Sequence, residues 1–179
     1  MAKWLVYNKR ADFKAIGEKY HIDPVVARIL VNRDVGDDAS IAAYLHPSKK
    51  DFGDAGLLQD MDKAIALLQK AIQQNTKIRI IGDYDIDGIQ STYILHQGLL
   101  RVGADADYAI PDRIEDGYGV NIRLMERCVM DGIGLVITCD NGIAAAEAIA
   151  YAKKEGLTVI VTDHHEVPYE LVGGKKEYH

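Results

Sequence analysis

Long apolar runs are missing from this 179-residue chain. Nothing in it approaches the roughly 18 consecutive apolar residues that a membrane-crossing helix needs. The opening "MAKWLVYNKR" has neither the apolar stretch nor the small-residue cleavage site of a secretory signal. Cysteine is scarce. The two present, Cys128 and Cys139, sit inside apolar patterns without CxxC spacing, so they read as reduced core thiols and not as a disulfide framework. Internal repeats and low-complexity tracts are absent. Positive charge is short as well: the formal net charge is −6, which argues against a general nucleic-acid coat. It does not exclude an enzyme acting on nucleic acid, because carboxylates gathered around bound metals count as negative in that sum. These absences point to a cytoplasmic protein with no membrane partner; for oligomeric state the default expectation is a monomer.

What is present is a hydrophobic content of 48%, enough for a sizeable core in one domain with a small appendage. The pattern predicts a helical lead-in over residues 1–60 and a main domain over 61–179. Within the lead-in, "PVVARILVNR" (24–33) and "SIAAYLHP" (40–47) are short helical patterns, the second opened by Ser40 and stopped before Pro47. "SKKDFGDAG" (48–56) reads as a loop. From residue 61 helices and strands alternate. Helices are expected over 61–75, 89–103, 121–132 and 142–156, with Asn121 as an N-cap, and strands over 77–82, 107–111, 134–139 and 157–162. Such alternation means βαβ units: an α/β fold with a mainly parallel, Rossmann-like sheet and helices on both faces. The strand segments are apolar without polar alternation, as strands covered on both sides must be.

The acids fall at the strand ends. Asp83, Asp85 and Asp87 in "GDYDIDG" follow the first strand, Asp140 in "CDNGI" the third, and Asp163, His164 and His165 in "TDHH" the fourth. In an open parallel sheet the carboxyl ends of the strands lie along one edge, where ligands bind. Carboxylates crowded there raise their own pKa values or spread apart unless a cation joins them. Oxygen and imidazole donors suit manganese or magnesium, and zinc less so without thiolates. Two such ions about 3.5–4 Å apart form a clamp for in-line attack at phosphorus. One imidazole of the pair suits a metal ligand, the other a phosphate contact or a proton donor. Asp163 is placed to orient an imidazole.

Plainer readings compete. "DYDIDG" fits the first six positions of a calcium-binding EF-hand loop, but the twelfth position is Ile94 instead of glutamate, and a strand precedes it where a helix is needed. Any one aspartate could simply cap a helix, and a histidine pair is often only surface. His21, His46, His96 and His179 have no comparable company and are assigned no role.

"GDYDIDG", "TCDNGI" and "TDHH", in that order at strand ends, resemble motifs I, II and III of the DHH phosphoesterase superfamily. The first motif, the helical lead-in and "IPDRIEDGYGVN" (110–121) resemble its RecJ-like branch of single-strand-specific DNA exonucleases. The likeness implies a phosphodiesterase activated by two Mn2+ or Mg2+ ions, releasing nucleotides from the 5′ end of single-stranded DNA in repair and recombination. By motif position it makes Asp83, Asp85, Asp87, Asp140 and His164 metal ligands or their immediate neighbours. His165 then contacts the scissile phosphate and Asp163 supports the histidines. Arg113 and Tyr118 are expected to bind substrate, through a phosphate and a base. The likeness also implies a fourth motif and a second domain beyond "DHH", whereas only 14 residues follow His165 and none is aspartate. The chain is therefore expected to be an N-terminal piece that holds metal weakly and has little nuclease activity alone. Two other expectations stand beside this one: the same chemistry on short oligonucleotides, cyclic dinucleotides or pyrophosphate, and a non-catalytic module that binds metal or nucleic acid.

Overall fold

The computed structural model describes residues 8–112, 119–173 and 175–178. The chain divides into two compact units, Met1–Leu58 and Gln59–His179.

Among the described residues the first unit holds three α-helices, each opened by an aspartate. Helix α1 (Phe13–Tyr20) follows Asp12, α2 (Pro24–Asn32) follows Asp23, and α3 (Asp38–Leu45) follows Asp37, whose side chain accepts from Ser40 N. In each case the carboxylate takes a backbone N–H that the first helical turn cannot satisfy. Helix α1 falls within the helical lead-in expected over residues 1–60, where its own bounds are not marked by the sequence pattern. The start expected at Ser40 lies earlier, because Asp37 is the cap and Ser40 is already in the first turn. Ala27, Leu30, Val31 and Ile41 are buried. The polar stretch 48–56, expected as a loop, carries two short 3-10 turns, Lys49–Asp51 and Ala55–Leu57.

The second unit is the α/β domain. Its elements are α4 (Met61–Gln73), β1 (Ile78–Gly82), α5 (Ile86–Arg101), β2 (Ala106–Ala109), α6 (Ile122–Met130), β3 (Leu135–Cys139), α7 (Ala146–Lys154) and β4 (Thr158–Thr162). The four strands form one sheet in the order β2-β1-β3-β4, and all three pairings are parallel. Side chains alternate between its faces. Ile78 and Ile80 of β1, with Leu135, Ile137 and Cys139 of β3, meet Ala71 of α4 and Leu99 of α5 on one side. On the other side Ile81 and Val136 meet Leu124, Met125 and Cys128 of α6 and Ala148 and Ala152 of α7. Helices thus cover both faces, and β3 is buried at every position, which accounts for its apolar run with Thr138 as the one polar member. The two cysteines are buried and free, and they belong to cores on opposite sides of the sheet.

Arg79 ties the sheet to a helix end. It donates to both carboxylate oxygens of Asp107 on β2, at 2.7 and 2.6 Å, and to Asp131 after α6. Beyond β4, Tyr169–Val172 (β5) and Lys175–Tyr178 (β6) pair antiparallel in a hairpin separate from the main sheet.

Two boundaries differ from expectation in ways that matter for function. Helix α5 begins at Ile86, not at residue 89, so Asp85 is its cap and Asp87 lies in its first turn. That geometry excludes an EF-hand loop, whose fifth position would be Asp87. Helix α7 begins at Ala146, not at residue 142, because the backbone turns left-handed first, at Asp140 (φ 60°) and Gly142 (φ 104°).

Candidate metal centre

Close approach of α5 to the end of β1 shapes the first motif. A Cβ at Gly82 would lie 1.9 Å from Thr92 Oγ1, and one at Gly88 would lie 2.5 Å from both N and O of Asp83. The two glycines let the helix sit against the strand end, and the aspartates fill the turn between them. Asp83 is buried, and its Oδ1 accepts from Tyr84 N at 2.8 Å. Asp85 Oδ1 accepts from Asp87 N and Gly88 N, both at 3.0 Å. The capping role weighed for these acids is therefore real for Asp85, and the positive helix end steadies its charge. It leaves the other carboxylate oxygen of Asp85 unspent.

Asp140 leaves β3 in the left-handed region, which aspartate tolerates better than most residues. It is 8% exposed, and among the described residues neither of its carboxylate oxygens has a hydrogen-bond partner. Burial pushes its carboxyl above the usual range, and the charge of Asp85 adds to this. His164 Nε2 stands 2.6 Å from Asp140 Oδ1. The two side chains come from different strand ends, so the contact brings the second and third motifs of this edge together. The second imidazole is held differently. His165 Nδ1 lies 2.7 Å from Asp163 Oδ1, which also accepts from His165 N at 3.0 Å, while Asp163 Oδ2 accepts from Ile143 N at 2.9 Å. Burial alone would raise the Asp163 carboxyl, but these bonds prevail and hold it below its ordinary value. The bond to Asp163 raises His165 in turn.

The separate strand ends meet in space. Ligand atoms of Asp83, Asp85 and Asp140 lie within 4.8 Å of one another, and so do those of Asp140, His164 and His165. Asp140 is common to both groups. A buried carboxylate without a hydrogen bond among the described residues, grouped with further donors, fits a divalent cation and is costly without one. Of the other residues singled out from sequence, Asp87 is exposed and outside both groups. Arg113 and Tyr118 lie outside the described residues. Sequence reading passed over Asn141, which is 3% exposed with neither amide atom partnered. Its only signal was its position between Asp140 and Gly142.

A family model described as "DHH family, N-terminal domain" matches residues 77–176, a span that holds every residue of both donor groups. The chain belongs to the DHH family. Among curated proteins, this DHH chain is 39% identical to the single-stranded-DNA-specific exonuclease RecJ of Bacillus subtilis (strain 168), over 94% of the chain and 22% of that protein. It is 39% identical to RecJ of Thermus thermophilus, over 76% of the chain and 21% of that protein. A crystal structure of exonuclease RecJ bound to manganese is similar at 40% identity and a TM-score of 0.57, covering 61% of the chain and 28% of that structure. A crystal structure of RecJ from Thermus thermophilus in complex with Mn2+ is similar at 28% identity and a TM-score of 0.59, covering 90% and 22%. The DHH chain thus spans about a quarter of the length of curated relatives it matches, 22% of one and 27% of another.

Proposed function

We infer that this chain supplies the metal-binding part of the catalytic core of a RecJ-like exonuclease, which hydrolyses single-stranded DNA from its 5′ end in the cytoplasm. One observation carries the reading: two groups of donors share Asp140, a buried carboxylate whose one close side-chain neighbour among the described residues is His164 at 2.6 Å. Asp83, Asp85, Asp140 and His164 are the residues that would hold the cations. Mn2+ or Mg2+ suits this oxygen and nitrogen donor set, and the similar RecJ structures named above contain manganese. A divalent cation bound there would supply an acidified water and a counter-charge for phosphoryl oxygens.

The protein's own groups do the rest. Asp163 fixes the His165 ring through Nδ1, keeps a proton on that nitrogen and leaves Nε2 for the scissile phosphate. The cap bonds to Asp85 and the left-handed turn at Asp140 hold their carboxylates in place before any ion arrives. Arg113 and Tyr118 contact the DNA strand by the expectation drawn from their motif.

Calorimetric titration with Mn2+ tests this reading. Wild type is expected to bind saturably, and the Asp85→Ala/Asp140→Ala double variant is expected to lose that binding. At an Mn2+ concentration of 100 times Kd, binding stabilises the native state by about 2.7 kcal/mol, so the melting midpoint of wild type alone rises. Equal binding by a folded double variant would overturn the assignment.

A further inference from the structure

Asn141 is a buried polar side chain that the metal centre does not explain. Among the described residues both amide atoms lack a hydrogen-bond partner, although the residue is 3% exposed. Native proteins pair such groups almost always, so an orphaned amide beside an active site marks a place where a partner arrives later. Asn141 lines a cleft of about 210 Å³ with Gly119, Val120, Ile143, Asp163 and His165. Most of the polar capacity around this cleft is spent. Asp163 accepts from Ile143 N, His165 N and His165 Nδ1, and so has no role left to play toward a ligand. What remains among the lining side chains are His165 Nε2, the Asn141 carboxamide and, at the exposed rim, the Glu166 carboxylate, of which the amide and the imidazole can donate to an anion.

We propose that Asn141 is a phosphoryl-binding residue, its Nδ2 donating to a non-bridging oxygen of a substrate phosphoryl group held in this cleft beside His165. The proposal rests on the phosphodiesterase reading above and adds a residue to it. The chemistry favours an amide at this position. A lysine here would pair with Asp140 or Asp85 and be lost to the substrate. A neutral amide donates without competing for the carboxylates or the cation. Donors preset in a buried site are worth most where charge develops on oxygen, and deletion of one such donor typically slows turnover about 10²- to 10³-fold. The backbone keeps Asn141 in place: Gly142 must stay left-handed, and a Cβ there would approach Thr138 Oγ1 to 2.8 Å.

The test uses the whole chain and thymidine 5′-monophosphate as probe, with thymidine as the control that lacks phosphate. In wild type, the Asn141 side-chain amide signal in 1H–15N spectra is followed with and without Mg2+. It is expected to move with the nucleotide and to stay fixed with thymidine. An unmoved signal, or equal movement with thymidine, overturns the proposal. Asn141→Leu keeps the volume and removes the amide. It is expected to melt at or above the wild-type temperature, to keep its Mn2+ affinity within twofold, and to bind the nucleotide about tenfold more weakly or worse. A folded Asn141→Leu with lower melting temperature and unchanged nucleotide affinity shows a structural role and overturns the proposal. Loss of Mn2+ binding by wild type overturns the metal reading alone, because the amide signal is also read without metal.

Discussion

Gly88 has no Cβ and no room for one, since the atoms it would meet at 2.5 Å are backbone N and O of Asp83. Neither can move without carrying a residue of the cluster with it. Gly88→Ala is therefore expected to destabilise the protein by about 1–3 kcal/mol, as overpacking does, and to weaken Mn2+ binding. Gly98, in the same helix, meets nothing within 4 Å. Gly98→Ala should stabilise by about 0.5–1 kcal/mol. Urea denaturation of the two variants side by side gives opposite signs if packing at Asp83, and not helix propensity, governs Gly88. The Asp163–His165 pair gives a pH signature. The His165 pKa is raised by its bond to Asp163, so its contribution is fully present below the ordinary value of 6.5 and is lost as pH rises through the higher folded value. The Asp163 pKa is depressed, so its contribution is present above the ordinary 3.8 and is lost as pH falls through the lower folded value. In metal-free protein, the stability difference between wild type and Asp163→Asn should be largest between pH 3.8 and 6.5 and shrink on both sides. A difference that stays flat from below this window to above it would rule the pair out as a source of stability.

At the scale of elements, α6 shows how a short helix is set. Asn121 Oδ1 accepts from Leu124 N at 3.0 Å, and Leu124, Met125 and Cys128 turn inward against the sheet. Nine residues are too few to hold a helix by propensity alone, so the cap and the buried face carry it. Asn121→Ala should cost about 1 kcal/mol through the lost cap. Met125→Ala, at a position with 0% exposure, should cost about 2–5 kcal/mol. Thermal or urea unfolding reads both, and a smaller loss for Met125→Ala than for Asn121→Ala would contradict this ordering. The turns after β1 and β4 follow the same logic. Each is short and held by its own side-chain bonds, from Asp85 in the first and Asp163 in the second, so the site they build sits on rigid supports.

For the whole molecule, the acidic balance and the sheet topology belong to one account. A net charge of −6 includes carboxylates that parallel strands force together at one edge, and a cation relieves that crowding. Every residue of both donor groups lies in the unit Gln59–His179. A chain of residues 59–179 alone is therefore expected to unfold cooperatively and to keep Mn2+ affinity within a few-fold of the full chain. Calorimetric titration of the two side by side checks this. Loss of binding in a folded 59–179 chain would mean that residues 1–58 contribute to the centre.

Sequence alone determined the alternation of helix and strand, the placing of acids at strand ends, and the family. These are properties of periodicity and order, which one-dimensional patterns carry. Both cysteines were legible as core residues for the same reason. Only the tertiary structure decided which acids meet. Asp87 resembles Asp83 and Asp85 in the chain, yet α5 begins at Ile86 and leaves Asp87 outside both donor groups. The start of α5 depends on how closely Gly82 and Gly88 let helix and strand approach, a contact between elements that local pattern does not record. Asn141 shows the same limit. Its identity was plain in "CDNGI", but its burial without a partner follows from the left-handed turn after β3 and the cleft beside His165. Burial and hydrogen-bond satisfaction are sums over neighbours distant in sequence, and they exist only once the chain has folded.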